Sequence, residues 1–276
     1  MAEARATVRL LCDAQATIGE SPVWDRGRVR WTDPVSRRLL CFEQNGSFRL
    51  IDMASSVWSL ASLDDGLIGA LDDRFCAITE GGEMDAGPAA TIDPGCRFND
   101  MTVDARGGLW VGMMHRGVLA TRGAIFHAPS LGEPPRRATT GLGVPNGMKV
   151  SADGRTLFVI DTLERTLLAY PIEQGGLGEP AIVSDFLNLP GKPDGMTLAP
   201  DGTFWVAMWG GGCIVQLDSS GAFLRQIALP APHVSSVCLA GPDRLLVTTS
   251  RMRLSSQALL DHPGSGGLFE VLLGHE

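Results

Sequence analysis

A six-bladed β-propeller, all-β and a single domain over residues 1–276, is predicted by three observations. The first is punctuation: 34 Gly and 17 Pro make 51 of the 276 residues, above the roughly 12% of average globular chains yet below the level of disordered ones. The second is the lack of long helical periodicity, since the best helix candidate, residues 255–261, spans about two turns. The third is a repeat. An apolar strand, a turn built on Asp with Gly or a small polar residue, and a second apolar strand recur six times, with turn aspartates at Asp25, Asp72, Asp104, Asp153, Asp201 and Asp243. Their spacings are 47, 32, 49, 48 and 42 residues, and a four-stranded antiparallel blade takes about 40–50. Six such blades close on themselves and protect their sheet edges. A β-sandwich with turns every 8–12 residues leaves this longer period unexplained.

The six hairpins fall at residues 23–31, 70–78, 102–111, 149–159, 197–206 and 238–247. Their Asp and Gly residues tolerate the positive φ that tight turns need. The short second spacing predicts reduced outer strands in that unit. A strand over residues 7–12 is expected to pair beside residues 267–272 and close the ring. The Pro/Gly-rich stretches 83–95 and 175–180 read as loops between strands.

Composition narrows the partners. With 23 Lys+Arg against 31 Asp+Glu the net charge is −8, which argues against nucleic acid and against an anionic membrane surface. The longest apolar run, residues 204–209, is far short of the ~18 of a membrane helix. The first ten residues carry charges and no apolar leader core. Six cysteines (Cys12, Cys41, Cys76, Cys96, Cys213, Cys238) form no Cys-x-x-Cys pair and are expected to be buried free thiols in a reducing, cytoplasmic setting. No His-Glu-x-x-His or Gly-x-Ser-x-Gly pattern occurs, which disfavours a His-based zinc site and a serine hydrolase.

Aligning the six copies on the last apolar residue of the first strand and stepping back four residues gives Glu20, Leu67, Asn99, Asn146, Asp194 and Ser235. Equivalent positions in different blades form a ring about the central channel. This ring is predicted to hold two carboxylates, two amides and a hydroxyl. Crowded carboxylates repel unless something compensates them, and a divalent cation is the simplest compensation. Oxygen ligands without Cys or His suit Ca²⁺, Mg²⁺ or Mn²⁺, and Zn²⁺ or Fe²⁺ also accept them. Taken singly, Asn-Gly and Asp-Gly are common turn formers; it is the shared register that points to a site.

At these residues the chain resembles the senescence-marker-protein/gluconolactonase/luciferin-regenerating (regucalcin-like) family. The resemblance rests on Gly19-Glu-Ser-Pro-Val-Trp-Asp, Arg97-Phe-Asn-Asp-Met-Thr-Val-Asp, Pro145-Asn-Gly-Met, Pro193-Asp-Gly-Met, Trp205-Val-Ala-Met-Trp-Gly-Gly and Val247-Thr-Thr-Ser. It implies a propeller with one divalent metal ion in the channel and hydrolysis of a sugar lactone to the aldonic acid. It further implies Glu20, Asn146 and Asp194 as metal ligands, Asp194 as general base, and Arg97 and Asn99 as substrate-binding residues. Where some relatives carry an acidic substrate contact, this chain reads His115-Arg116-Gly117, closer to bacterial pentonolactone-type members. So does the stretch Leu254-Ser-Ser-Gln-Ala-Leu-Leu.

The residues support such a mechanism. A metal can polarise the lactone carbonyl and acidify water, with the proton taken by Asp194 or the attack made by hydroxide on the ion. His115, after a strand end near the same face, is a further candidate for substrate contact, and Trp209 for flanking the pocket. Ser235 has His233 two residues away on one strand face but no evident third partner. Other ester or phosphoester hydrolysis on the same ion, and a non-catalytic calcium- or ligand-binding propeller, are the competing readings.

Overall fold

The computed structural model describes residues 6–63, 66–173 and 176–274. After β1 (Thr7–Cys12), blade 1 comprises β2 (Glu20–Asp25), β3 (Arg28–Asp33), β4 (Arg38–Glu43) and β5 (Phe48–Asp52). Blade 2 is β6 (Ser59–Leu63), β7 (Gly66–Ala70), β8 (Phe75–Ile78) and β9 (Met84–Ala86). Blade 3 is β10 (Cys96–Val103), β11 (Leu109–His115), β12 (Gly123–Ala128) and β13 (Arg136–Leu142). Blade 4 has five strands: β14 (Pro145–Val150), β15 (Thr156–Asp161), β16 (Thr166–Glu173), β17 (Gly176–Leu177) and β18 (Ala181–Asp185). Blade 5 is β19 (Lys192–Leu198), β20 (Phe204–Trp209), β21 (Cys213–Leu217) and β22 (Phe223–Ala228). Blade 6 is β23 (Val234–Gly241), β24 (Arg244–Thr249), then α1 (Ser256–Asp261) and β25 (Leu268–Leu272). Every blade is antiparallel, and the innermost strands β2, β6, β10, β14, β19 and β23 touch in a closed cycle. The fold is the predicted six-bladed propeller.

The core is divided into six apolar clusters, one at each blade–blade interface. Side chains alternate faces along a strand. Phe204, Val206 and Met208 of β20 therefore pack toward blade 4, while Trp205 and Ala207 pack toward blade 6. A strand buried on both faces reads as a continuous apolar run, which is why 204–209 is the longest in the chain. Trp31, Trp110 and Trp205 are among the largest fully buried side chains. The helix begins where expected, with the Ser255 hydroxyl accepting from the Ala258 N–H at its N-terminus. All six cysteines are free thiols, five of them buried. Among the described residues no helix is long and apolar enough to cross a membrane.

The ring closes as the sequence predicts, β1 pairing with β25 in register Arg9↔Glu270. Glu270, 3% exposed, accepts from Arg9 Nη2 of β1 and Arg244 Nε of β24, both at 2.7 Å. Glu270→Ala removes two charge-assisted hydrogen bonds from the seam. Because the Arg9 side chain is 65% exposed, water takes over part of its solvation. The expected loss is about 2 kcal/mol, or roughly 4–8 °C in Tm for a chain of this size, with Glu270→Gln losing less. Unchanged thermal unfolding would show that the seam does not depend on this carboxylate.

Blade 2 corrects two expectations. The hairpin 70–78 joins its second and third strands, not its first and second. Leu67 consequently lies on β7, 1% exposed in the blade 1–blade 2 cluster, and the start of β6 (Ser59) faces the axis instead. Asp72 misled because the true inner connection, between Leu63 and Gly66, contains Asp64 and falls outside the described residues. Counting Asp64 in place of Asp72 evens the spacings to 39 and 40. The outer strands β8 and β9, of four and three residues, are reduced as predicted. Stretch 83–95 contains β9 as well as loop. Gly175 lies outside the described residues, while Gly176–Leu177 pairs with Ile172 and Glu173. Both are outer strands of only three and two residues, too short to show an alternating pattern.

Candidate active site

The ring residues occupy bulges rather than turns. The inner ladders shift register between Glu20 and Val23, Phe98 and Met101, Asn146 and Lys149, Pro193 and Met196, and Val234 and Ser236. A bulge sets two residues opposite one and re-aims their side chains. Glu20, Asn99, Asn146, Asp194 and Ser235 all stand at these shifts, whereas β6 pairs without one. Two glycines make the geometry possible. Gly147 has φ +50°, and a Cβ there would lie 2.9 Å from the Asp194 carbonyl oxygen and 2.8 Å from Met196 Cβ. At Gly195 it would lie 2.7 Å from Ser236 Cα. In blade 1 the residue after Glu20 is Ser21, which holds φ +49°; its hydroxyl bonds Ser59 Oγ at 2.8 Å and donates to Asp100 Oδ1 at 3.4 Å.

Hydrogen bonds join two of the ring side chains, Asn99 and Asn146, with Arg97 and Thr162 into one line. Arg97 Nη1 donates to the Phe98 carbonyl and to Asn99 Oδ1, each at 2.7 Å. Asn99 Nδ2 donates to Asn146 Oδ1 and, at 3.0 Å, to the Pro145 carbonyl. Asn146 Nδ2 donates to Thr162 Oγ1 at 2.9 Å, and Thr162 Oγ1 donates to the Pro193 carbonyl beside Asp194 at 2.8 Å. The Asn146 amide is thereby oriented, with its nitrogen turned to Thr162 and its oxygen to Asn99 Nδ2. Arg97 also lies over the Trp58 indole, 3.6 Å from the ring centroid.

Charge is concentrated here. Burial pushes the Glu20 carboxyl well above the ordinary range; the nearby Asp194 and Asp100 carboxylates add to this and the Arg97 guanidinium opposes it. Asp194, 8% exposed, is raised by burial and then by Asp100. Burial also lowers Arg97 to about 10, with the Arg116 cation adding to the effect while Glu20 and Asp72 oppose it.

Asp100 is the carboxylate that sequence reasoning missed. It accepts from Ser59 Oγ at 2.8 Å, from its neighbour's N–H (Met101) at 2.8 Å and from the Met148 N–H at 3.3 Å. It lines a cavity of about 260 Å³ bounded by all six inner strands, with Ser21, Lys149, Thr197 and Ser236 among its walls. Its sequence signal was its place beside Asn99 within the bulge.

The donor set suits a hard divalent cation. Two carboxylates held against their own repulsion, half-buried Glu20 and buried Asp194, lie beside an amide oriented by its partner, all oxygen donors. Among the described residues no three His, Cys, Asp or Glu side chains form a metal cluster; the Asn146 amide is the non-carboxylate oxygen of the candidate set.

The remaining candidates separate. His115, at the end of β11, accepts the Gly117 N–H at its Nδ1, 3.0 Å away, within its own turn. Ser235 is fully buried; its hydroxyl donates to the Gly19 carbonyl and meets Thr248 Oγ1 at 3.1 Å, so it serves the backbone next to Glu20. Trp209 stacks on His233 at 4.4 Å with a 12° interplanar angle. Ser235 and His233 thus have other partners, and no Ser–His pair forms.

Comparison with known proteins agrees with this architecture. Residues 18–251 match the family model described as the SMP-30/Gluconolactonase/LRE-like region. A pentonolactonase of Haloferax volcanii is 31% identical over 88% of this chain and 85% of its own. An L-arabinolactonase of Azospirillum brasilense is 30% identical over 96% and 92%. A calcium-binding protein, regucalcin, from Agrobacterium tumefaciens superposes with a TM-score of 0.87 at 26% identity, covering 98% of this chain and 95% of that one. The bulged inner strands, the ring they carry and these matches place the chain in the SMP-30/gluconolactonase/LRE-like family.

Proposed function

We propose that the protein hydrolyses a sugar lactone of five or six carbons to the aldonic acid. The observation that carries this reading is the pair of mutually repelling carboxylates, half-buried Glu20 and buried Asp194, beside an oriented amide and a half-buried guanidinium. The names of the pentonolactonase and arabinolactonase relatives support the substrate class.

Glu20, Asn146 and Asp194 would hold one divalent cation, of the Ca²⁺, Mn²⁺, Mg²⁺, Zn²⁺ or Fe²⁺ type. When bound, such an ion supplies Lewis acidity for the carbonyl. Asp194 takes a proton from water as the water oxygen bonds to the carbonyl carbon. The ring C–O bond then breaks, and the proton passes to the departing oxygen to give the open hydroxy acid. Arg97 and Asn99 supply donors to the sugar oxygens. His115, on the same mouth, is the outer candidate for substrate contact.

The test is proton release from a panel of five- and six-carbon lactones, corrected for spontaneous hydrolysis, after chelation and after each metal is restored. Metal-dependent turnover is expected. Turnover that survives complete chelation unchanged would overturn the ion's role, and no turnover of any lactone would overturn the activity.

A further inference from the structure

Arg97 is half-buried, and among the described residues its hydrogen bonds run through Nη1 alone, to Phe98 and Asn99. Nη2 and Nε make no hydrogen bond among the described residues and are the donors a ligand would take. A guanidinium on a three-carbon stem, close to Glu20 and Asp72, needs something to fix the plane in which those donors point. The Trp58 indole lies flat beneath it at 3.6 Å. The indole is itself held: its Nε1 donates to Asp72 Oδ1 at 2.7 Å, and Asp72 Oδ2 pairs with Arg116 at 2.6 Å. Arg116 in turn stands 5.9 Å from the same ring. All of these belong to the mouth: Trp58 precedes β6, Asp72 lies in the β7–β8 turn, and Arg116 follows β11.

We infer that Trp58, locked by Asp72 and Arg116, is a positioning residue that sets the guanidinium of Arg97 for the substrate. Blade 2, whose inner strand has no bulge and no candidate metal ligand, thereby contributes to recognition rather than to the ion. The inference rests on the substrate role of Arg97 proposed above. An aromatic face under a desolvated guanidinium favours one orientation of the plane. Removing the face frees the group to turn toward the carboxylates of Asp72 or Glu20.

Four variants test this in the metal-loaded protein: Trp58→Phe, Trp58→Leu, Arg97→Ala and Trp58→Leu combined with Arg97→Ala. Phe keeps a ring face, while Leu fills space without one. We expect KM for the best lactone to rise about tenfold in Trp58→Leu, with kcat changed less, and Trp58→Phe to recover most of the loss. In the Arg97→Ala background the Leu substitution should add nothing. A readout independent of turnover is the Arg97 Nε–H resonance. Ring current from an indole at this distance shifts it upfield, and the shift should vanish in Trp58→Leu and largely persist in Trp58→Phe. Equal Phe and Leu variants, or a Leu effect that persists without Arg97, would overturn the positioning role alone. An Arg97→Ala variant with unchanged kcat/KM would overturn the substrate role of Arg97 and this inference with it. Should Trp58→Leu lower Tm, Asp72→Asn replaces it. That variant leaves the ring in place but weakens its anchor, and a KM increase confined to the Arg97-containing background is again the supporting result.

Discussion

Asp194→Asn is expected to lower kcat/KM for the lactone by at least ~100-fold and, at the same time, to raise the thermal stability of the metal-free protein. Both effects follow from one arrangement. Asp194 is 8% exposed and faces the Asp100 and Glu20 carboxylates. An ionised carboxylate there costs desolvation and repulsion, which a bound cation would offset. Asn keeps the shape and removes the charge. The sign of the pH dependence follows. Glu20 and Asp194 bind protons more tightly folded than unfolded, so the native state holds more protons above the ordinary carboxylate range. The stability of the chelated protein should therefore fall as pH rises from about 4 toward the raised native values. A divalent cation should flatten that slope, and Asp194→Asn should reduce it without metal. Thermal melts of both proteins, chelated and metal-loaded, across pH 4–8 check this. A chelated Asp194→Asn protein less stable than wild type at pH 8 would show that the carboxylate is compensated within the fold.

Much of this arrangement was legible before any coordinates, for identifiable reasons. An Asp-based turn between two apolar strands recurs in every blade and announces the count, even though Asp72 marks a hairpin one strand further out in blade 2. Glu20, Asn99, Asn146 and Asp194 fell on one register because each sits at the same bulge. Asp100 was hidden by the rule that served elsewhere. On a regular strand, neighbours point to opposite faces, so a residue beside Asn99 would be assigned away from the channel. Only the bulge brings both to the axis, and a bulge leaves little trace in one sequence. Trp58 was hidden differently: blade 2 was framed on Asp72, one hairpin too far along. That same Asp72 is what anchors the Trp58 indole. The displaced signal was a real residue of the mouth, assigned to the wrong strand pair.

Gly195→Ala is the substitution expected to cost most in stability, about 2–4 kcal/mol, and it should also disable the site. Read in sequence, Asp194-Gly195 looks like a turn former. In the structure the glycine lies inside β19, where two inner strands converge on the axis. A methyl group there would sit 2.7 Å from Ser236 Cα and 2.5 Å from Ser236 Cβ on β23. No rotamer change relieves a clash with backbone, so β19 must move away from β23 and carry Asp194 with it. A displacement near 1 Å at a reacting group costs on the order of 100-fold in rate. The variant should thus lose Tm, metal affinity and lactone turnover together, unlike Asp194→Asn, which loses turnover while gaining Tm without metal. Gly176→Ala is the control. That glycine is on the outer strand β17 with nothing within 4 Å of the added carbon, so its effect should stay within about ±0.5 kcal/mol. Equal melting temperatures for the two glycine variants would mean that the axis has room to spare. The glycine after Asp194 would then be there for its backbone freedom and not for the close approach of β23.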